Sequence, residues 1–412
     1  MTVDNLILLV GTNPLPNYVV AEYFLTKETI RDIYLIYSEA SRFHKGTLKE
    51  AERLQEVIRA RHPDKGDLFP LKKVSLSDIS NAEKISRDVH EKLLSKLPAN
   101  CSIHLNYTGG TKAMGIHVYN TLKEAKGIRE KTFSYLDART YQIVYDDNCV
   151  VTEDLRETIS VNFDEMIRLH GLNRLTEDKD TSEFKDTLNF FRDLIQNDKL
   201  DVFYKDYSRQ YFQCKNGNLA SKTKDITDEI RNGQTKIKGL LLEIFKTIPK
   251  KWRFFNEDGE YIEPDNQEIK SVLKYLDGDW FEDYVYETLK GSSHKLQFYK
   301  NWTVKNPEWL NDSRFEIDVI AIRGYQLIGL SCTTSDDNRL CKSKGFEILL
   351  RTQQIGGEEA KAILITRLPE DKVSILQDSL KADTAGSDKI LILGKQDIKA
   401  ERLLERFTNY IE

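Results

Sequence analysis

The 412-residue sequence predicts an α/β protein with two sheet-forming units and a helical connector between them, and three observations carry that prediction. Over residues 1–152, short apolar runs alternate with longer amphipathic stretches. A Gly-Gly turn, Gly109-Gly110, stands between the fourth of these runs and the helix-forming stretch after it. Over residues 263–412, a second set of β-rich runs surrounds Arg323-Gly324. Strands that alternate with helices are the mark of a sheet covered on both faces.

The first unit, residues 1–152, opens with Leu6–Val10, a continuous apolar run suited to a buried parallel strand. A helix is predicted over Asn17–Leu25, a second strand over Asp32–Tyr37 and a long amphipathic helix over Thr47–Arg61. Leu71–Leu76 and Asn81–Leu97 repeat the pair, and so do Cys101–Tyr107 and Thr111–Ala125. Thr132–Leu136 and Tyr141–Tyr145 read as closing strands. This order argues for an open, mostly parallel, Rossmann-like sheet.

Residues 153–262 are more polar, with helices predicted over Phe163–Leu172, Ser182–Asn197 and Ile230–Thr247 and an exposed loop over Gln213–Asp225. Trp252–Phe255 and Tyr261–Ile262 flank Asp258-Gly259, a hairpin signal, so this connector reads as helical or winged-helix-like. The second unit, residues 263–412, begins with helix over Asn266–Leu289. Strands follow at Phe315–Ile322 and Gln326–Cys332, then a helix at Phe346–Ile355. Strands at Ala362–Thr366 and Lys389–Leu393 and a helix at Lys399–Tyr410 close the chain.

Lys plus Arg number 61 and Asp plus Glu 66, a formal net charge of −5 that excludes a basic nucleic-acid coat protein. It leaves an enzyme acting on nucleic acid open, because local patches decide that. The five cysteines (Cys101, Cys149, Cys214, Cys332, Cys341) form no C-x-x-C, and the seven histidines form no H-x-x-x-H. A disulfide framework and a zinc hydrolase are both disfavoured. Leu6–Val10 is too short for a signal sequence, and no stretch of about 18 uncharged apolar residues occurs, so a soluble, cytoplasmic protein is expected.

Asn106-Tyr107-Thr108-Gly109-Gly110-Thr111-Lys112-Ala113-Met114 joins the fourth predicted strand to its helix. The glycines allow a sharp turn and close approach of a ligand to the backbone. The amides of Gly110, Thr111 and Lys112 would sit at a helix N-terminus, where unpaired N–H groups and the dipole favour an anion. Lys112 adds a full charge, and Thr108 and Thr111 add hydroxyls. Gly11-Thr12-Asn13-Pro14 follows the first strand. In doubly wound sheets the first and fourth strands meet at the switch point, so Gly11, Thr12 and Asn13 are expected to face Thr108–Lys112 across one crevice. Neither a Walker A loop nor G-x-G-x-x-G is present.

A second constellation is acidic. With Arg323-Gly324 as a two-residue hairpin loop, Asp318 should face Gly329 and Glu316 should face Ser331. Alternation puts Glu316 and Asp318 on one face, where two carboxylates repel unless a cation sits between them. Oxygen ligands suit Mg²⁺ or Mn²⁺, which activate water and stabilise phosphate charge. Glu282 lies beside the apolar stripe of its helix; the alternative for all three is an ordinary solvated face. His104 and His117 read as packing or surface histidines, and Trp280, Trp302 and Trp309 as core or rim aromatics.

The first unit with its Asn106–Met114 segment resembles the CARF domain, the CRISPR-associated Rossmann fold. That resemblance implies a homodimer holding one cyclic oligoadenylate, cA4 or cA6, against Gly11, Thr12, Asn13, Asn106, Thr108, Gly109, Gly110, Thr111 and Lys112. The second unit resembles the PD-(D/E)XK (restriction-endonuclease-like) nuclease fold. Glu282 matches the helix acid and Asp318 the strand acid, but Ser331-Cys332-Thr333 stands where acid-x-Lys is expected. Glu316 would fill the acidic role, and Lys342 or Lys344, with Glu347 close by, the positive one. CARF domains joined to such a nuclease form a family of CRISPR ancillary effectors, and Leu169-His170-Gly171 in the connector also resembles it. The resemblance implies a cyclic-oligoadenylate-activated, Mn²⁺- or Mg²⁺-dependent endonuclease of type III CRISPR antiviral defence that cleaves DNA or RNA. Two readings stay beside it. One is a ligand-controlled nucleic-acid-binding regulator with an inactive nuclease-like domain. The other is a ring nuclease degrading its own ligand through Lys112 and the nearby hydroxyls.

Overall fold

A computed structural model describes residues 3–42, 44–68, 70–146, 152–175, 181–209, 236–262, 271–293, 295–307, 314–384 and 388–412. Its first sheet runs β1 (Asn5–Leu9), β2 (Asp32–Ser38), β3 (Lys72–Leu76), β4 (Ser102–Asn106), β5 (Glu130–Asp137) and β6 (Gln142–Tyr145) in the chain. In space the order is β3-β2-β1-β4-β5-β6, parallel except for the last pair. The order reverses between β1 and β4, where Leu8 lies beside Asn106. Helices α1 (Leu15–Lys27), α2 (Leu48–Arg61), α3 (Ala82–Lys92) and α4 (Lys112–Glu124) cover the sheet. Leu6 and Leu8 pack toward α1 and α2, and Ile7 and Leu9 toward α3 and α4. Burial on both faces is why β1 reads as an unbroken apolar run.

The second sheet has order β12-β11-β10-β9-β8-β7. Its strands are β7 (Asn173–Arg174), β8 (Leu296–Lys305), β9 (Arg314–Arg323), β10 (Gln326–Cys332), β11 (Lys361–Ile365) and β12 (Ile390–Leu393). β7 to β10 pair antiparallel, and β10 to β12 parallel. The further helices are α5 (Phe163–Leu169), α6 (Lys185–Gln196), α7 (Leu200–Arg209), α8 (Gly239–Thr247), α9 (Trp280–Leu289), α10 (Asn338–Gly356), α11 (Glu370–Asp383) and α12 (Ala400–Ile411).

The connector packs on both units: α5 lies against α2, where Arg61 donates to Glu165 (3.1 Å), and the rest joins the second unit. β7 extends its sheet, and α6 lays Phe191 flat on Trp280 of α9, ring centroids 3.8 Å apart. Where the hairpin is predicted, one bridge pairs Phe255 with Tyr261. Gln213–Asp225, residues 230–235, residues 266–270, Cys149 and Trp309 lie outside the described residues. Trp280 and Trp302 are core, as expected. Strand β8 and helix α11 have no counterpart in the sequence reading, and α10 starts eight residues before the predicted Phe346.

The β9–β10 register differs from the prediction. Gln326 pairs with Arg323 and Gly329 with Ile320, so the loop is Gly324-Tyr325. Gly324, at φ +59°, takes the first central position, which a II′ turn reserves for glycine. Moving the loop by one residue moves the pairing by two. Asp318 therefore keeps its face but stands across from Ser331, not Gly329, and Glu316 no longer faces Ser331.

The two units share one apolar core and a buried polar clamp. Arg156 stacks 3.6 Å over the Tyr141 ring and donates to Gln326 Oε1 (2.8 Å). Gln326 Nε2 donates to the Tyr141 hydroxyl (2.6 Å) and to the Glu359 carbonyl (2.9 Å). The first sheet is thus tied to the turn of the hairpin that carries Asp318. No helix among the described residues is long and apolar enough to cross a membrane.

Candidate functional site

The β4–α4 turn is built by its own side chains. Asn106 is fully buried; its Nδ2 donates to Ser134 Oγ (3.0 Å), and its Oδ1 accepts from the Thr108 N–H (3.2 Å) and hydroxyl (2.8 Å). Thr108 Oγ1 in turn accepts from the Leu136 N–H (2.6 Å). Asn106 and the Thr108 hydroxyl therefore shape the turn. A Cβ on Gly109 would stand 2.0 Å from the Leu9 carbonyl oxygen, so no other residue fits against β1. Thr111 caps α4 by accepting from the Met114 N–H (3.2 Å). Lys112 opens the helix, exposed.

A cavity of about 500 Å³ lies over this turn. Thr108, Gly109, Gly110, Thr111 and Lys112 line one side of it, and Tyr107, Ile116, Tyr119, Asn120 and Asp146 the other. Tyr107 donates to Asp146 Oδ1 (2.6 Å), and that carboxylate together with burial raises the Tyr107 hydroxyl above its usual range. The far wall was not read from the sequence: Tyr119 and Asn120 sit two helical turns from the glycines, and Asp146 follows β6. Gly11 packs against Gly110, where a Cβ would come within 2.9 Å of its nitrogen. Thr12 is exposed beside it. Gly11, Thr12 and Asn13 do not line this cavity, and Asn13 turns away toward His170. His104 is a packing residue as expected. It bonds Thr132 Oγ1 and Ser134 Oγ (both 2.7 Å), and burial pushes its pKa down to about 3.

The acidic site gathers on the α9 side of the second sheet. Asp318 Oδ2 accepts from the Cys332 N–H (2.7 Å) and the Ser331 hydroxyl (3.1 Å). Glu282 comes from α9; both residues are half-buried, with their carboxyl groups set deep among protein atoms. Burial raises both above the usual carboxylate range; among neighbouring charges Asp318 raises Glu282 most, ahead of Asp279 and Glu316, and Glu316 raises Asp318. Burial and Asp279 likewise push Asp277 up to about 6. The buried carboxylates are therefore Glu282 and Asp318, while Glu316 stays exposed at the rim.

Of the two candidate lysines, Lys344 is the main positive charge acting on Asp318. Lys342 points elsewhere: its Nζ donates to Ser379 Oγ (2.8 Å) and pairs with Asp383 (2.8 Å) on α11. Thr333, at the lysine position of acid-x-Lys, is buried and accepts from the Ser335 N–H (3.3 Å). Glu347 is exposed. Among the described residues no three His, Cys, Asp or Glu side chains converge closely enough to hold a metal ion by themselves.

The strands are distorted beside this pair. Lys300 pairs with Val319 and Trp302 with Ile317, so Asn301, at φ +54° and buried, stands across from Asp318. At that point the apolar faces change sides. Ile320 and Ile322 share a core with Ile317 and Phe315, whereas Val319 and Ala321 pack toward α9. A left-handed residue inside a strand distorts the pleat locally, here with no shift of register on either side. No residue pattern in the sequence signals it.

No family model matches the chain, and no curated protein does. Solved structures do. The chain is similar to protein VC1899 from Vibrio cholerae (TM-score 0.67, 13% identity, 99% of this chain and 98% of that one). It is similar to Can2 from Sulfobacillus thermosulfidooxidans, solved in complex with cyclic tetra-adenylate (TM-score 0.66, 15% identity, 99% of both chains). A type III CRISPR defence DNA nuclease activated by cyclic oligoadenylate gives a TM-score of 0.45 at 15% identity, over 89% of this chain and 46% of that one. At these identities the likeness to VC1899 and Can2 is one of fold, and it runs the length of the chain: two six-stranded sheets in a mixed α/β architecture.

Proposed function

We propose that this protein is a nuclease switched on by a cyclic oligoadenylate, with Mn²⁺ or Mg²⁺ at its acidic site. The observation that carries the reading is the deep Glu282–Asp318 pair, two carboxylates in one buried site with Lys344 acting on Asp318. A fold has no reason to hold such a pair unless a cation or a reacting phosphate relieves it. Whole-length similarity to a protein crystallised with cyclic tetra-adenylate supports the choice of activator.

Glu282 and Asp318 would hold the ion, with Glu316 at the rim. Magnesium is commonly bound by one or two protein carboxylates, with water and substrate phosphate filling the other positions, so two suffice. The bound ion supplies Lewis-acid stabilisation of phosphate charge and a more acidic water. Ser331 and the Cys332 N–H hold Asp318 in one orientation and leave its second oxygen for the ion. Lys344 offsets the charge of Asp318 and would face the phosphate of a DNA or RNA strand. At the other sheet, the Gly110–Lys112 amides and the Lys112 ammonium would receive ligand phosphate. The Tyr107–Asp146 wall would lie toward the base. A homodimer would bring two such cavities to one two-fold ligand.

The test is incubation with supercoiled plasmid or single-stranded RNA, Mn²⁺, and cyclic tetra- or hexa-adenylate. Cleavage that needs both metal and ligand, and that Asp318→Ala abolishes while ligand still binds, is expected. No metal-dependent cleavage under any combination defeats the reading.

A further inference from the structure

The loop between β1 and α1 sends one side chain out of the first unit. Asn13 Oδ1 accepts from the Leu15 N–H (3.0 Å) and lies 3.0 Å from His170 Nε2, just past the end of α5. Its Nδ2 sits against Gly357, the residue that ends α10: a Cβ there would come within 2.0 Å of that nitrogen. Gly11, two residues earlier, abuts Gly110 at the floor of the cavity. One short loop therefore touches the ligand turn and the C-terminal end of the helix that carries Lys344.

α10 is an effective lever. Lys344 and Gly357 lie thirteen residues apart, about 20 Å along a helix rising 1.5 Å per residue. The helix packs Gly356 against Leu327 of β10 at one end and Gly345 against Leu380 of α11 near the other. A shift at its C-terminal end is carried to Lys344, because packed elements move as units and do not deform continuously.

The contact that holds Asn13 is also weakly satisfied. His170 Nδ1 lies 2.9 Å from the Met166 carbonyl and Nε2 lies 3.0 Å from Asn13 Oδ1. Burial pushes the His170 pKa down to about 4, so the ring is neutral near pH 7 and carries one N–H. It can donate to Met166 or to Asn13, not to both. With Asn13 Oδ1 already fixed by Leu15, one of the two contacts sets lone pair against lone pair. The Leu15 N–H holds Asn13 Oδ1 in either tautomer, while one contact of the ring is left without a shared proton.

We infer that Asn13 is the relay between the two sites: ligand in the crevice moves the Gly11–Asn13 loop, Asn13 shifts off His170 and Gly357, and α10 repositions Lys344 against Asp318. This rests on the sensor-and-nuclease reading above. It gives Asn13 a positioning role toward the acidic site, distinct from contact with ligand.

Amide hydrogen exchange on the full-length protein, with and without cyclic tetra-adenylate or cyclic hexa-adenylate, tests it without relying on cleavage. In the wild type, ligand should slow exchange in 108–124 and change it in 338–356 by at least about fivefold. Gly357→Ala, which drives a methyl into the Asn13 amide but lies outside the crevice, should keep the response at 108–124 and lose the one at 338–356. Alanine at φ +70° is strained whatever it meets, so Asn13→Ala, which removes the amide and leaves Gly357 in place, is the second variant and should likewise keep the response at 108–124 and lose the one at 338–356. Three results overturn the relay. A wild-type response at 108–124 with none at 338–356 does so while leaving the nuclease reading intact. A full 338–356 response in Gly357→Ala does the same. No response at 108–124 with either ligand removes the activator reading and the relay with it.

Discussion

Asp318→Asn should make the protein more stable and leave it unable to cut. The carboxamide oxygen can still accept from the Cys332 N–H and the Ser331 hydroxyl, so the local bonding survives. What disappears is a negative charge in a site that raises both Asp318 and Glu282. Two like charges in contact, about 4 Å apart, repel by about 4 kcal/mol at an effective dielectric of about 20, which is the upper bound for this pair. Lys344 already offsets part of this, which leaves a gain of about 1–2 kcal/mol for the variant, the usual scale for relieving a functional site. For a unit of roughly 150–250 residues that is a rise of about 2–8 °C in Tm. The sign depends on pH. Both carboxylates have folded pKa values above their unfolded ones, so the pair destabilises the fold above that range and has no effect once both states are protonated. The advantage of Asp318→Asn should therefore grow as pH rises through the raised folded values and vanish toward about pH 4. Thermal melts in EDTA read the gain directly. Mn²⁺ at about a hundredfold over its Kd should then stabilise the wild type by about 2.7 kcal/mol and the variant hardly at all. A variant that melts lower than wild type in EDTA, or that gains equally from Mn²⁺, would refute a strained, metal-ready pair.

Lys344→Ala should reduce ligand-stimulated cleavage by about tenfold to a hundredfold, the scale of one lost charge-assisted contact, with ligand affinity retained. Lys342→Ala should leave cleavage alone and shift stability by no more than about 1 kcal/mol, because its partners are Ser379 and Asp383 at a partly exposed surface. Lys112→Ala should weaken cyclic tetra-adenylate binding by about tenfold to a hundredfold in a titration, and less so at high salt, where screening already reduces the wild-type contact. Phe191→Ala should cost about 3–5 kcal/mol by chemical denaturation, because it removes the ring stacked on Trp280; a small loss would mean the connector is only loosely attached.

The order of the first sheet was legible because double-sided burial writes itself as apolar runs, and β1 is buried along its whole length. The crevice turn was legible for a related reason, since a glycine pair at a strand end has few other uses. The hairpin register was harder. Arg323-Gly324 and Gly324-Tyr325 are both acceptable two-residue loops, and only the backbone conformation of Gly324 decides between them. The error cancelled in part: a shift of two preserves the face of Asp318 and replaces Gly329 by Ser331 as its neighbour. Lys342 and Lys344 lie two residues apart on α10, about 200° around a helix, so at most one can face the carboxylates. Which one depends on how α10 packs, and that is set by Leu380 and Leu327, far away in the chain. Asn13 looked like a crevice residue because it follows the strand at the switch point. Its contacts, His170 and Gly357, come from residues 157 and 344 positions onward, beyond the reach of local patterning. Asp146, the left-handed Asn301 and strand β8 were missed for the same reason.

The most direct measurement is the rate of plasmid or RNA cleavage at fixed Mn²⁺ as cyclic tetra- or hexa-adenylate is raised from zero past saturation. A site at one sheet that controls a carboxylate pair at the other predicts a rate that climbs from near zero, saturates, and collapses on adding EDTA. A rate independent of ligand, or one that persists in EDTA, would contradict it.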